Sequence, residues 1–434
     1  MLNKLKGLYD KSPSIFKKIY GYIPNEIKYG KVFRYWKRLI KKGVDIKRDP
    51  NDTVKYAVNN FTFYKNLYKN IDINDWNNIP LLNKSLIQKH LKEFESTYIK
   101  KLYVTTGGVT GKPAKFFQSN NVWYKEMAYA YSFFNQFGYK PPSLKASFRG
   151  ADFSSLKKNE YWLINPHHYE INFSPFHISD ITIVEYVDKL NDLKPDFFHG
   201  YPSIFLSLAK HMQDKGLKLN YTPKSFFLVS EGYNKKDIKF LQTFFNCKMR
   251  SFYGQSERIV FAIADDDLEN YKADLNYGYF ELVDSLGNVI TECNLVGEIV
   301  ATSYDNFAMP LIRYKTGDYT SYSDFENKVF KKITGKWGQL FLFGFNKEKI
   351  SLTALNLHSE ELDDILKMQF IQSDYGKVEV LIVFIHHKEK YFVDKIQNLL
   401  INRVGSNIDF SLRQTNDFIT TSRGKSPLII NKIS

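Results

Sequence analysis

Residues 105–113 read Thr105-Thr106-Gly107-Gly108-Val109-Thr110-Gly111-Lys112-Pro113, and they follow directly on a β-rich run at residues 101–105. Gly107, Gly108 and Gly111 let the backbone approach a ligand closely. Successive amide N–H groups, with the Thr106 and Thr110 hydroxyls, form a cradle suited to phosphate oxygens. A tight hairpin that holds nothing fits the same residues. The stretch is not a GxxxxGK[ST] loop, because Pro113 stands where the Mg²⁺-binding hydroxyl would follow the lysine. Working outward, a helical pattern covers residues 121–137 and stops at Gly138. Residues 197–199, 225–229 and 248–253 read as buried strands, with helices at 203–213 and 235–245 between them, which is the order that produces parallel crossovers. After Tyr277 a hairpin turning at Leu286, Gly287 and Asn288 leads to a strand at 297–302.

Beyond Trp337 the pattern becomes helix 359–368, strand 377–385, helix 392–403 and strand 408–411, a small α+β unit of domain size. The boundary is placed at residues 335–339. The expected fold class is therefore α/β: a large amino-terminal domain of layered sheets and helices at 1–336, whose first 78 residues are a helical, basic lead-in, and a small mobile carboxy-terminal domain at 337–434.

A hydrophobic content of 43% with 16% aromatics supplies a sizeable core and excludes disorder of the whole chain. Only Cys247 and Cys293 occur, which excludes a disulfide framework or a cysteine-rich metal site and suggests a reduced, cytoplasmic setting. The first residues lack the apolar centre of a signal peptide, and no uncharged apolar run of about 18 residues occurs, so neither export nor a membrane span is expected. Lysine and arginine exceed acidic residues by 61 to 46, for a formal charge of +15, so a polyanionic partner has to be considered. The excess is densest at residues 17–42, interleaved with aromatics, and residues 29–42 form an amphipathic pattern. That pattern suits a basic face on a helix docked by its aromatics, or a peripheral contact with a membrane or partner surface. No zinc module, RNP-like strand or helix-turn-helix pattern accompanies the charge, so nucleic acid is not an expected partner. His167, His168 and His177 cluster without an acid or cysteine at ligand spacing, which argues against a metal site there.

Four further short segments follow in order: Ser251-Phe252-Tyr253-Gly254-Gln255-Ser256-Glu257-Arg258, Arg313-Tyr314-Lys315-Thr316-Gly317-Asp318, Ile333-Thr334-Gly335-Lys336-Trp337-Gly338-Gln339 and Ser422-Arg423-Gly424-Lys425. With the glycine-rich loop they form a series that resembles the adenylate-forming superfamily of acyl-CoA synthetases, adenylation domains and luciferases. Ile79-Pro80-Leu81-Leu82-Asn83-Lys84 and His199-Gly200-Tyr201-Pro202-Ser203 bring it nearest the phenylacetate-CoA ligase-like branch, which includes members associated with capsular polysaccharide synthesis. The likeness runs from Ile79 to Lys425.

The resemblance implies an enzyme that uses ATP and Mg²⁺ to activate a carboxylic acid as acyl-AMP and passes the acyl group to an amine of a sugar or amino acid, or to the thiol of coenzyme A. It implies ATP/AMP contacts at Thr106, Gly107, Gly108, Thr110, Gly111, Tyr253, Gly254, Ser256, Asp318 and Lys336. Tyr253 would stack on adenine, a task its flat amphipathic ring suits. Ser256 would bind phosphate, and Glu257 would hold Mg²⁺ through carboxylate oxygen. Asp318 would accept both ribose hydroxyls. Lys425 would be the mobile lysine that stabilises charge developing on the α-phosphate. Arg149, His199, Tyr201, Ser230, Glu231 and Gly232 stand where relatives shape the acyl and adenine pockets, although ordinary packing would also explain each. The chain departs from the family pattern in three places. Ala114 precedes the lysine at Lys115, Lys336 replaces the hinge arginine and its planar fork, and Gly107 and Val109 remove side-chain donors. A non-catalytic partner of membrane-bound glycosyltransferases would tolerate those changes, whereas the retained Glu257, Asp318 and Lys425 favour catalysis.

Overall fold

A strand covered on both faces must be apolar along its whole length, and Phe197-Phe198 and Phe226-Phe227 are such runs. The computed structural model describes residues 23–433 apart from 95–100, 106–114, 141–142, 150–159, 166–167, 176, 334–340, 346, 348, 352–364, 385–389, 405–407, 416 and 421–426. Strands β1 (Lys101–Thr105) and β2 (Lys115–Ser119) form an antiparallel pair of their own, with Thr105 opposite Lys115. The large sheet is built from β3 (Lys145–Phe148), β4 (Trp162–Asn165), β5 (Glu170–Phe173), β6 (Phe197–Gly200), β7 (Ser225–Leu228), β8 (Lys248–Gly254), β9 (Phe261–Ala264), β10 (Asn270–Ala273), β11 (Gly278–Val283), β12 (Val296–Ser303), β13 (Tyr314–Asp324) and β14 (Val329–Lys331). Their order is β11-β12-β13-β14-β10-β9-β8-β7-β6-β3-β5-β4, and the run β5-β3-β6-β7-β8 is parallel.

Side chains alternate along these strands, so each face of the parallel run has its own core. Phe148, Phe198, Phe226 and Leu228 pack against helices Ile183–Leu193, Pro202–Asp214 and Lys235–Phe245. On the other face Phe197 and Phe227 meet Phe133 and Phe134 of helix Asn120–Gln136, and helix Gly30–Lys42 joins this layer through Phe33 and Trp36. Lys125 of the long helix is buried with its ammonium 4.2 Å from the Trp36 ring centroid and 2.5 Å from Asp305 Oδ2. The basic lead-in helix is thus docked by its aromatics, with Lys31, Arg34 and Arg38 facing outward. Among the described residues no helix is long and apolar enough to cross a membrane.

The C-terminal unit contains a hairpin of β15 (Phe341–Phe343) and β16 (Lys349–Ser351). It also has a sheet of β17 (Ile365–Asp374), β18 (Lys377–Phe384), β19 (Asp409–Gln414) and β20 (Ile429–Asn431) in the order β19-β18-β17-β20. Ile396 and Leu400 of helix Lys390–Val404 pack on Phe370, Val380, Ile382 and Phe410 of that sheet.

Two sequence expectations are corrected. The glycine-rich stretch does not lead straight into a helix: β2 intervenes, because Lys115–Ser119 finds its hydrogen-bond partners on β1. Residues 365–368 are strand rather than helix, since β17 pairs along its length with β18, and that long-range pairing overrides local helix preference. Residues 359–364 and the expected boundary at 335–339 lie outside the described residues.

The segment before β1 is strapped to the large sheet by a buried ion pair. Arg313 Nε donates to Glu281 Oε1 at 2.8 Å and Nη1 to the Ile79 carbonyl at 2.8 Å, while Trp76 Nε1 donates to Glu281 Oε2 at 3.2 Å. Backbone bonds from Leu82 N to Arg313 O (3.0 Å) and from Lys315 N to Leu82 O (2.8 Å) run alongside. Removing one partner of a buried pair leaves the other charge uncompensated. Glu281→Leu is therefore expected to lower unfolding free energy by about 3–5 kcal/mol, read as a fall in urea midpoint at unchanged slope. A loss below about 1 kcal/mol would contradict this.

Candidate active site

Parallel strands present their carboxyl ends along one edge, where open α/β sheets bind ligands. Phe148 of β3, Gly200 of β6, Leu228 of β7 and Ser251 of β8 are neighbours in register, so the segments that leave these strands lie side by side. Arg149, His199, Tyr201, Ser230, Glu231, Gly232, Tyr253, Gly254, Ser256 and Glu257 all fall on or just beyond that edge. Gly200 allows it to close: a Cβ there would lie 2.5 Å from the Phe148 carbonyl oxygen. Tyr201 N in turn donates to Phe148 O, and Val229 N to Gly200 O. Ser230 has φ 63°, a left-handed conformation uncommon for serine and often found near functional sites.

β13 brings the second half of the site. Three of its residues, Thr316, Gly317 and Asp318, stand opposite Ile299 alone, because the β12–β13 register passes from Val300↔Lys315 to Glu298↔Tyr319. The bulge is held by Gly317, with φ 76° and its N–H on Glu298 Oε1 at 2.9 Å, and by Thr316 Oγ1 on the Ile299 carbonyl at 2.9 Å. It turns Asp318 out of the ladder to meet Tyr253, whose hydroxyl donates to Asp318 Oδ2 at 2.7 Å. Burial, with the Asp318 carboxylate beside it, raises the Tyr253 phenol far above its usual range and keeps it an O–H donor. A parallel link joins Tyr314 to Glu257: the hydroxyl donates to Oε1 at 3.1 Å, and the carboxylate is buried. Two expected nucleotide residues and the expected metal ligand are therefore brought together by β8 and β13.

The β1–β2 hairpin is tied to the same turn. Gln118 of β2, fully buried, donates from Nε2 to the Ser256 carbonyl at 2.7 Å, and Arg258 Nη1 donates to Gln118 Oε1 at 2.5 Å. The two strands that flank the glycine-rich stretch thus adjoin Ser256 and Glu257. Sequence reading assigned Gln118 and Arg258 no role; Arg258 stood inside the quoted motif, but Gln118 gave no signal. Thr106, Gly107, Gly108, Thr110, Gly111, Lys336 and Lys425 lie outside the described residues.

A buried polar group lies at the amino ends of β3 and β5. Lys145 Nζ and Glu170 Oε2 are 3.2 Å apart with both side chains buried, and Arg149 Nε donates to Ser147 Oγ at 3.3 Å. Burial works to raise the Glu170 pKa, but Lys145, Arg149 and His168 outweigh it and hold the carboxyl at about 2. His199 packs edge-on to Phe134, and neither ring nitrogen has a hydrogen-bond partner among the described residues. Burial, then the charges of Arg149 and Lys145, depress its pKa well below the usual imidazole range, so the ring is neutral. His168 and His177 are engaged by Tyr131 and Ser174 hydroxyls, and among the described residues no cluster of metal-ligating side chains occurs.

The model of the CapK C-terminal domain family matches residues 342–432. Protein CapK of Staphylococcus aureus is 25% identical over 465 residues, covering 99% of this chain and 100% of that protein. Among solved structures, the chain is similar to a 2-hydroxyisobutyryl-CoA ligase in its postadenylation state with 2-HIB-AMP (TM-score 0.64, 14% identity, 88% of each chain). It is also similar to that ligase in its thioesterification state with 2-HIB-AMP and CoA (TM-score 0.52, 14% identity, 98% of this chain and 94% of that one). An anthranilate CoA ligase in complex with anthranoyl-AMP matches as well (TM-score 0.51, 12% identity, 75% of this chain and 65% of that one). The chain therefore shares the fold of these CoA ligases, and its residues 342–432 match the model of the CapK C-terminal domain.

Proposed function

We propose that this chain activates a carboxylic acid with ATP and passes the acyl group to an amine of a sugar or amino acid in surface-polysaccharide synthesis. The observation that carries the reading is the joining of Tyr253 to Asp318 and of Tyr314 to Glu257 at the carboxyl edge of the parallel strands. Tyr253 fixes the orientation of the Asp318 carboxylate, which accepts from the ribose hydroxyls, and its ring offers adenine an aromatic neighbour. The β1–β2 connection and Ser256 receive the phosphates. Glu257 is a hard oxygen donor of the kind Mg²⁺ prefers, and one carboxylate completed by phosphate oxygens and water suits that ion. When bound, Mg²⁺ supplies charge neutralisation on the phosphates. A carboxylate oxygen attacks the α-phosphorus, the bond from that phosphorus to the bridging oxygen breaks, and pyrophosphate leaves. The Lys425 ammonium stabilises the charge that develops.

The acid is polar. Arg149, just past β3 on the carboxyl edge, offers a guanidinium to the further polar group of a hydroxy, amino or uronic acid, which a fatty chain would leave unused. The likeness to CapK over nearly the whole of both chains supports the polysaccharide-linked branch. The basic face of helix Gly30–Lys42 suits peripheral contact with a membrane or with glycosyltransferase machinery. Transfer to coenzyme A is the second reading, favoured by the solved structures, which are CoA ligases.

Carboxylate-dependent exchange of labelled pyrophosphate into ATP tests the first step. Exchange is expected with a hydroxy, amino or uronic acid and should fall by about 100-fold or more in Lys425→Ala. Undiminished exchange in that variant would remove its assigned role. Arg149→Met is expected to lower kcat/KM for the polar acid by about 10-fold or more while leaving the KM for ATP unchanged. Fatty acids outperforming polar acids in the unmodified enzyme would overturn the substrate class. Product analysis with amino sugars, amino acids and coenzyme A separates the acceptors, and a thioester as the only product would exclude the amide.

A further inference from the structure

Lys425 stands in the sequence between Ile419 and Pro427, and one side chain holds both of those residues. The Gln369 amide, fully buried in β17, donates from Nε2 to the carbonyls of Ile419 (2.8 Å) and Pro427 (2.9 Å). Its Oε1 accepts from the Ile419 N–H at 3.0 Å. Both amide protons and one acceptor site are thereby spent on the two ends of a single connection. The next residue, Phe370, extends the hold with its N–H on the Leu428 carbonyl at 2.8 Å, where β20 begins to pair with β17. An amide is a costly choice among Phe370, Ile371 and the other buried side chains of this sheet unless its hydrogen bonds are used. Here all three serve to fix the separation of Ile419 from Pro427.

Lys367 points to the same face of β17 two residues earlier. Its ammonium lies 4.3 Å from the ring centroid of Phe418, the residue that precedes Ile419. Burial pushes the Lys367 pKa down to about 8, and the opposing charge is Glu231. Glu231 lies just past β7 on the carboxyl edge that holds the rest of the site. Lys210 Nζ, on helix Pro202–Asp214, also reaches the carbonyl of Ile365 at the start of β17, at 3.5 Å. The face of β17 that holds Ile419 and Pro427 is therefore also a face that meets the large domain.

We propose that Gln369 is a positioning residue for Lys425: it ties together Ile419 and Pro427, the residues that flank the segment carrying the lysine. The assignment rests on the reading of Lys425 as the adenylation lysine. Gln369 acts only by fixing Ile419 and Pro427 relative to β17 and to each other.

The test uses the full chain with labelled-pyrophosphate exchange and the variants Gln369→Leu, Lys425→Ala and the double variant. Gln369→Leu is expected to lower the maximal exchange rate about 10- to 100-fold, the scale of a small misplacement of a reacting group, with KM values for ATP and acid within about twofold. The double variant should be no slower than Lys425→Ala alone, because both changes remove one contribution. A near-normal rate in Gln369→Leu, or fully additive losses in the double variant, would overturn the proposal while leaving the Lys425 reading intact. Normal exchange in Lys425→Ala would overturn both. If the leucine variant does not fold, Gln369→Asn replaces it with the same expectations, since the shorter amide is polar but cannot span both carbonyls. Amide hydrogen exchange at Ile419 should accelerate in either variant, and unchanged protection there would contradict the proposal.

Discussion

The buried pair of Arg313 and Glu281 is the constraint on which the site depends. A charge pair removed from water is tolerated only when its geometry is fixed and its remaining hydrogen-bonding capacity is met. Both conditions hold: the guanidinium also donates to the Ile79 carbonyl, and the carboxylate also accepts from Trp76. Because Arg313 immediately precedes β13, its position sets where that strand starts. The next residue, Tyr314, reaches Glu257, and the bulge that follows turns Asp318 toward Tyr253. A strap between sequence-distant segments thus determines the placement of the two acidic groups assigned to nucleotide and metal.

The division of labour between the sheets follows from their topology. Parallel strands gather short exit segments on one edge, so residues from Arg149 to Glu257 become neighbours although the chain between them covers more than one hundred residues. The antiparallel strands contribute the bulged carboxylate, and the β1–β2 hairpin delivers the glycine-rich connection through Gln118. The small domain adds a sheet whose β17 both meets the large domain and holds the chain on either side of Lys425. Polar side chains buried in that sheet are informative because an apolar residue would fill the same space at lower cost.

Much of this was legible in the sequence. The central strands and the helices between them carry strong apolar patterning, and helix Lys235–Phe245 occurs where the pattern placed it. The motif series singled out Tyr253, Glu257 and Asp318, which the fold brings together. The rest depended on partners far away in the chain. Gln118 is bonded to a residue 138 positions away, so no local pattern marks it. Residues 365–368 resemble a helix end until β18 pairs with them, and β2 is too short to stand out before its partner β1 is known. Gln369 has its partners, the carbonyls of Ile419 and Pro427, 50 and 58 positions away, so nothing local marks it.

The central claim is that a carboxylate oxygen becomes bonded to the α-phosphorus of ATP. Heavy-oxygen-labelled carboxylic acid, ATP and hydroxylamine as a general acceptor test it directly, with the AMP recovered for mass analysis. An acyl-AMP route gives AMP that carries one labelled oxygen, because the bridging oxygen leaves with AMP when the acceptor attacks the acyl carbon. Acyl transfer accompanied by unlabelled AMP, or by ADP and phosphate, would contradict the account.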